Sequence, residues 1–128
     1  VEKIEHGLAK SNKNFKNSRI LLLGLAYKKN VDDDRESATF KIMDLLTRKG
    51  AQVDYNDPYI PKIKPSREYT KFVGKESVAL DNIGQYDITV VLTDHSTYDY
   101  GVIVQRSKVL VDTRNACGKI KSSKIIKA

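Results

Sequence analysis

Residues 20–25, Ile-Leu-Leu-Leu-Gly-Leu, form an unbroken apolar run of strand length that passes directly into the charged stretch from Tyr27 to Ser37. A continuous run, rather than an alternating one, is the pattern of a strand covered on both faces by helices in a parallel sheet. Open sheets of that kind hold ligands beyond the carboxyl ends of their strands. Tyr27, Lys28 and Lys29 follow the run and bring a flat ring and two ammonium groups to that edge. Asp33 and Glu36 then have capping-box spacing, and Ala38, Ile42, Leu45 and Leu46 recur at helical intervals, which predicts a helix over 37–49. Arg35 falls in the first turn of that helix, where the macrodipole disfavours a cation. An anionic partner is therefore expected, either a ligand or a neighbouring aspartate.

The rest of the chain continues the alternation. Gly50 stops the helix, Gln52 to Asn56 reads as a second strand, and Asp57-Pro58 turns the chain. Tyr59 to Lys75, with Pro61, Pro65 and several lysines, has no period and is read as an irregular surface loop. Val78 to Leu80 suggests a short strand, Asp81 to Gln85 a helical turn and Ile88 to Leu92 a buried strand. Tyr98 to Arg106 reads as a helix, Val109 to Val111 as the next strand and Lys124 to Ile126 as an edge strand. Strands alternating with helices predict an α/β fold: one open, mostly parallel, Rossmann-like sheet in a three-layer single domain. Before all this, Val1, Ile4 and Leu8 recur at helical spacing without a cap or an initiator methionine, as expected of a segment of a longer protein.

With 128 residues, 40% of them hydrophobic and 30% charged, the chain has the size and composition of one globular domain. No apolar run approaches a membrane span and no secretion signal opens the sequence, so a cytoplasmic location is expected. Cys117 is the single cysteine and offers neither an internal disulfide nor a metal-ligand set. The formal charge of +7 raises nucleic acid as a partner. The lysines are instead scattered singly and in pairs and no nucleic-acid motif is present, which favours a solvated basic surface.

The loop after the first strand lacks the phosphate-cradling glycines of G-x-G-x-x-G and the P-loop pattern; Gly24 stands alone. A phosphate here would have to be held by side chains, and Lys28, Lys29 and Arg35 are the candidates. Asp94-His95, after the strand at 88–92, has the residue types of a general base with its carboxylate. At a strand-to-helix turn the pair is expected instead to cap the following helix, and His6 to lie on the surface.

Four blocks carry a resemblance to a known family: G-L-A-Y-K-x-N-x-D-D-x-R-E-S at 24–37, K-G-A-Q-V-D-Y-N-D-P-Y at 49–59, V-V-L-T-D-H at 90–95 and V-D-T-R-N-A at 111–116. In this order they resemble the C-terminal domain of the UDP-glucose/GDP-mannose dehydrogenase family. These NAD-dependent enzymes oxidise C6 of a nucleotide sugar to a carboxylate. The D-T-R-N-A block looks more like the branch acting on UDP-N-acetylhexosamines.

The resemblance implies roles. Tyr27, Lys28 and Arg114 would contact the UDP-sugar, and Arg35 would reach NAD bound to a separate N-terminal domain. Residues 1–18 would be the end of the inter-domain helix with its linker, and 19–128 the UDP-sugar-binding domain. The family's catalytic cysteine would lie upstream, so Cys117 is not taken for it, no catalytic or metal-binding residue is assigned, and the domain alone would be inactive. The full-length enzyme would be a homodimer serving polysaccharide precursor synthesis. Two other readings remain. One is a flavodoxin-like or CheY-like nucleotide module with Mg²⁺ at Asp32 to Asp34. The other is a purely structural dimerisation domain, against which Lys28, Arg35 and Arg114 together argue; for Arg114 by itself the alternative to a ligand contact is a salt bridge to Asp112 or Asp94.

Overall fold

The computed structural model describes residues 2–25, 38–63 and 72–127. Helix α1 (Glu2–Ala9) leads to strand β1 (Arg19–Leu23), helix α2 (Ala38–Arg48) and strand β2 (Gln52–Asn56). A 3-10 helix at Leu80–Gln85 precedes β3 (Ile88–Val91), α3 (Tyr100–Arg106), β4 (Leu110–Asp112) and β5 (Ile125–Lys127). The five strands form one wholly parallel sheet in the order β2-β1-β3-β4-β5.

The apolar run at β1 behaves as its pattern predicts. Ile20 and Leu22 point into a core built with Leu8, Met43, Leu46, Tyr55 and Val90, on the face covered by α1 and α2. Leu21 and Leu23 enter a second core with Ile83, Tyr86, Ile103, Val104 and Leu110, on the face covered by α3 and the 3-10 helix. Two buried faces give three layers. Gly7 lets α1 lie tight against the sheet, because a Cβ there would come within 2.5 Å of Ile88 Cδ1.

Most predicted elements recur within one or two residues. Three expectations need correction. Val78 to Leu80 is not a strand: Val78 N–H donates to Tyr55 O at 2.9 Å, and the segment otherwise follows the edge of β2 through side-chain bonds such as Asn56 Nδ2 to Val78 O, 2.6 Å. The loop at 59–75 is not merely superficial, since Ile60, Ile63 and Phe72 are buried in the core. The buried Tyr55 hydroxyl fastens it, lying 2.9 Å from Ile60 O and 3.2 Å from Lys75 O. Finally, α3 is capped by Asp99, whose Oδ1 accepts from Val102 N at 3.2 Å, and not by Asp94-His95. The helix starts five residues beyond His95, too far for a cap. The capping box at Asp33 and Glu36 lies outside the described residues.

Gly24 ends β1 with φ +96°, and a Cβ there would stand 2.4 Å from Thr93 Cβ and 2.6 Å from the Thr93 backbone nitrogen. The backbone atom cannot swing aside. Gly24→Ala is therefore expected to cost about 3 kcal/mol in denaturant unfolding, from positive φ and overpacking together.

Candidate functional site: the carboxyl edge between β1 and β3

The chain leaves β1 toward α2 on one face and leaves β3 toward α3 on the other. Connections that diverge from adjacent strands open a crevice between their carboxyl ends, where doubly wound sheets bind ligands. The β3 extension is tied to β1 by Leu92 N and Thr93 N, which donate to Leu23 O at 2.9 and 3.2 Å. Gly24 N donates across to Asn56 O at 2.9 Å, and Tyr98 Oη donates to the same carbonyl at 2.8 Å. Burial, with Asp57 and Tyr100 nearby, pushes the Tyr98 hydroxyl well above the usual phenol range, so it stays a neutral donor.

Asp57 sits at the centre of this edge, 1% exposed. Its Oδ2 accepts from Leu25 N at 2.8 Å and lies 2.8 Å from His95 Nε2, while Oδ1 accepts from Tyr59 N at 2.8 Å. The His95 ring is fully buried, with the Tyr59 ring centroid at 4.8 Å and that of Tyr98 at 5.7 Å. Tyr100 Oη donates to the His95 carbonyl at 3.0 Å. Sequence reasoning reached His95 and missed Asp57 as its partner. The D-P of the second block and the D-H of the third held the signal, but the pairing needs both strand ends side by side.

A second buried carboxylate builds the loop after β4. Asp112 accepts from Arg114 N at 3.1 Å, Ala116 N at 3.0 Å and Cys117 N at 2.9 Å. Burial opposes its ionisation, but the backbone donors outweigh burial and hold the carboxyl below its usual range. Burial, then the charge of Asp112, pushes the Cys117 thiol up to about 11, which keeps it an unreactive thiol. On this loop Arg114 is exposed and directs Nε to Leu92 O at 2.8 Å, laying its guanidinium beside the end of β3. The salt bridge to Asp112 or Asp94 is not formed, because Asp112 is committed to backbone N–H groups. His6 is exposed, as expected.

A cleft of about 670 Å³ opens beside β2, lined by Arg19, Asp54, Phe72 and Lys75 among others. Its charges are already engaged, with Asp54 bound by Tyr86 Oη at 2.7 Å and Lys75 Nζ at 3.3 Å, and Arg19 over the Tyr86 ring. No group of three or more potential metal ligands occurs among the described residues, and none of their helices is long and apolar enough to cross a membrane.

Residues 21–119 match the model of the UDP-glucose/GDP-mannose dehydrogenase family, UDP binding domain. The chain belongs to this family. UDP-N-acetyl-D-mannosamine dehydrogenase of Methanococcus vannielii is 30% identical over 112 residues, covering 81% of this chain and 24% of that protein. The fold matches that of UDP-D-ManNAc dehydrogenase from Pyrococcus horikoshii with a TM-score of 0.73 at 24% identity, over 98% of this chain and 29% of that one. It also matches NDP-N-acetyl-D-galactosaminuronic acid dehydrogenase from Methanosarcina mazei Go1, TM-score 0.72 at 24% identity, over 99% of this chain and 27% of that one. This chain thus spans about a quarter of the length of the relatives it matches. Of the four binding residues expected from the family blocks, Arg114 stands at the carboxyl edge; Tyr27, Lys28 and Arg35 lie outside the described residues, as does the Asp32 to Asp34 run.

Because the folded pKa of Asp112 is depressed, its stabilisation is present above its unfolded value, about 3.9, and is lost as pH falls through the folded value. The stability difference between the wild-type chain and Asp112→Asn is expected to hold from neutral pH to about 5 and to shrink below about 4. Urea titrations at a series of pH values check this.

Proposed function

We propose that this chain is the nucleotide-sugar-binding, C-terminal domain of an NAD-dependent UDP-sugar 6-dehydrogenase. The match to the family's UDP binding domain over residues 21–119 carries the reading. The carboxyl edge gives it chemistry: Arg114 is anchored beside β3, and Tyr27 and Lys28 follow within three residues of Leu25 at the end of β1. A guanidinium and an ammonium together suit a diphosphate, with Tyr27 supplying ring or backbone contacts to the nucleotide.

The residues present do not fit an NAD cradle. Gly24, the one glycine at the β1 turn, is occupied by its contact with Thr93 and leaves no glycine-lined approach for a pyrophosphate. NAD accordingly belongs to a separate N-terminal domain in this reading, and Arg35 is the residue assigned to its contact. The reacting cysteine belongs upstream as well. The curated relatives act, by name, on UDP-N-acetyl-D-mannosamine, and a UDP-N-acetylhexosamine is the substrate class we assign here. In this reading the complete protein is a cytoplasmic homodimer that oxidises the sugar for polysaccharide precursors.

Calorimetric titration of the chain with UDP tests the reading. Each charge-assisted hydrogen bond contributes roughly 1.5–3 kcal/mol, so Lys28→Ala and Arg114→Ala should each weaken UDP about tenfold or more. The chain alone, given NAD and any UDP-sugar, should produce no NADH. Absence of UDP binding, or indifference to both substitutions, would overturn the proposal.

A further inference from the structure

The buried Asp57–His95 pair has no part in the contacts assigned above, although it sits in the middle of the same edge. We infer that the two residues form a positioning clamp that sets where the nucleotide loop leaves β1. This deepens, and rests on, the UDP reading. In the sheet β1 lies between β2 and β3, so a bond from Asp57, just after β2, to His95, beyond β3, arches over the carboxyl end of β1. Beneath the arch the same Asp57 oxygen takes the Leu25 N–H at 2.8 Å. Donors from the continuations of three strands thus converge on one carboxylate, the third being Tyr59 N–H. Packing alone would not call for this arrangement, since an apolar pair could fill the space but could not take the Leu25 N–H. The Tyr59 and Tyr98 rings beside the imidazole hold His95 in the orientation the bond requires.

Chain connectivity carries the constraint onward. With about 3.8 Å between successive Cα atoms, Tyr27 lies within about 7.6 Å and Lys28 within about 11.4 Å of the Leu25 Cα. An error in the position of Leu25 therefore passes to both. Asp57 and His95 are thus positioning residues that act through Tyr27 and Lys28.

The test combines UDP calorimetry with backbone amide hydrogen exchange on the chain, using Asp57→Asn and the milder His95→Gln, each alone and with Lys28→Ala. A clamp predicts that Asp57→Asn lowers UDP affinity at least tenfold in the wild-type background but less than threefold beside Lys28→Ala, because both changes then remove one interaction. It also predicts faster exchange at Leu25 and the three residues after it, with Leu21 to Leu23 and Leu110 to Asp112 still protected. Fully multiplicative losses of affinity, unchanged exchange at Leu25, or exchange raised evenly over the sheet would overturn it. So would failure of both single variants to fold, which would make the pair purely structural. A wild-type chain that binds no UDP would overturn the nucleotide reading instead, and the exchange pattern would still decide the clamp.

Discussion

A strand with no exposed face sets the terms for everything around it. Ile20, Leu21, Leu22 and Leu23 are each fully buried, and their side chains alternate between two cores. Burying each contributes roughly 1.5–3 kcal/mol, and the gain is complete only if both faces are covered. The connection from β1 therefore goes to one face and the connection from β3 to the other. The crevice at the carboxyl edge follows from that division of helices, before any functional side chain is considered.

Strand ends in such a sheet leave loop N–H groups that need partners away from water. Two aspartates supply them here by the same device. Asp57, just after β2, gathers Leu25 and Tyr59 N–H groups together with the His95 ring, and Asp112, at the end of β4, gathers three N–H groups of its own loop. At Asp112 those backbone donors outweigh burial and hold the carboxyl below its usual range. Arg114 stands exposed on the loop that Asp112 organises, with its Nε bonded to Leu92 O.

Much of this was legible in the chain. The unbroken run at 20–25 announced a doubly covered strand, and the family blocks at 49–59, 90–95 and 111–116 run through the carboxyl ends of β2, β3 and β4. Arg114 was recognisable from its block, but its bond to Leu92 O was not, because that bond depends on β3 and β4 being neighbours. The same limit hid the Asp57–His95 pair, whose members are 38 positions apart. Local patterning also misread 59–75 as surface, since Ile60, Ile63 and Phe72 are buried by a tether from Tyr55 that no periodicity encodes. Spacing places side chains on elements; only the register of one strand against the next places them on each other.

The proposed function turns on UDP binding at the carboxyl edge between β1 and β3. Mapping backbone amide resonances of the chain through a UDP titration addresses it directly. The largest shifts are expected at 24–28, 92–95 and 113–116, saturating together with a single affinity. Shifts concentrated around Arg19, Asp54 and Lys75 in the cleft beside β2, or none up to millimolar UDP, would contradict it.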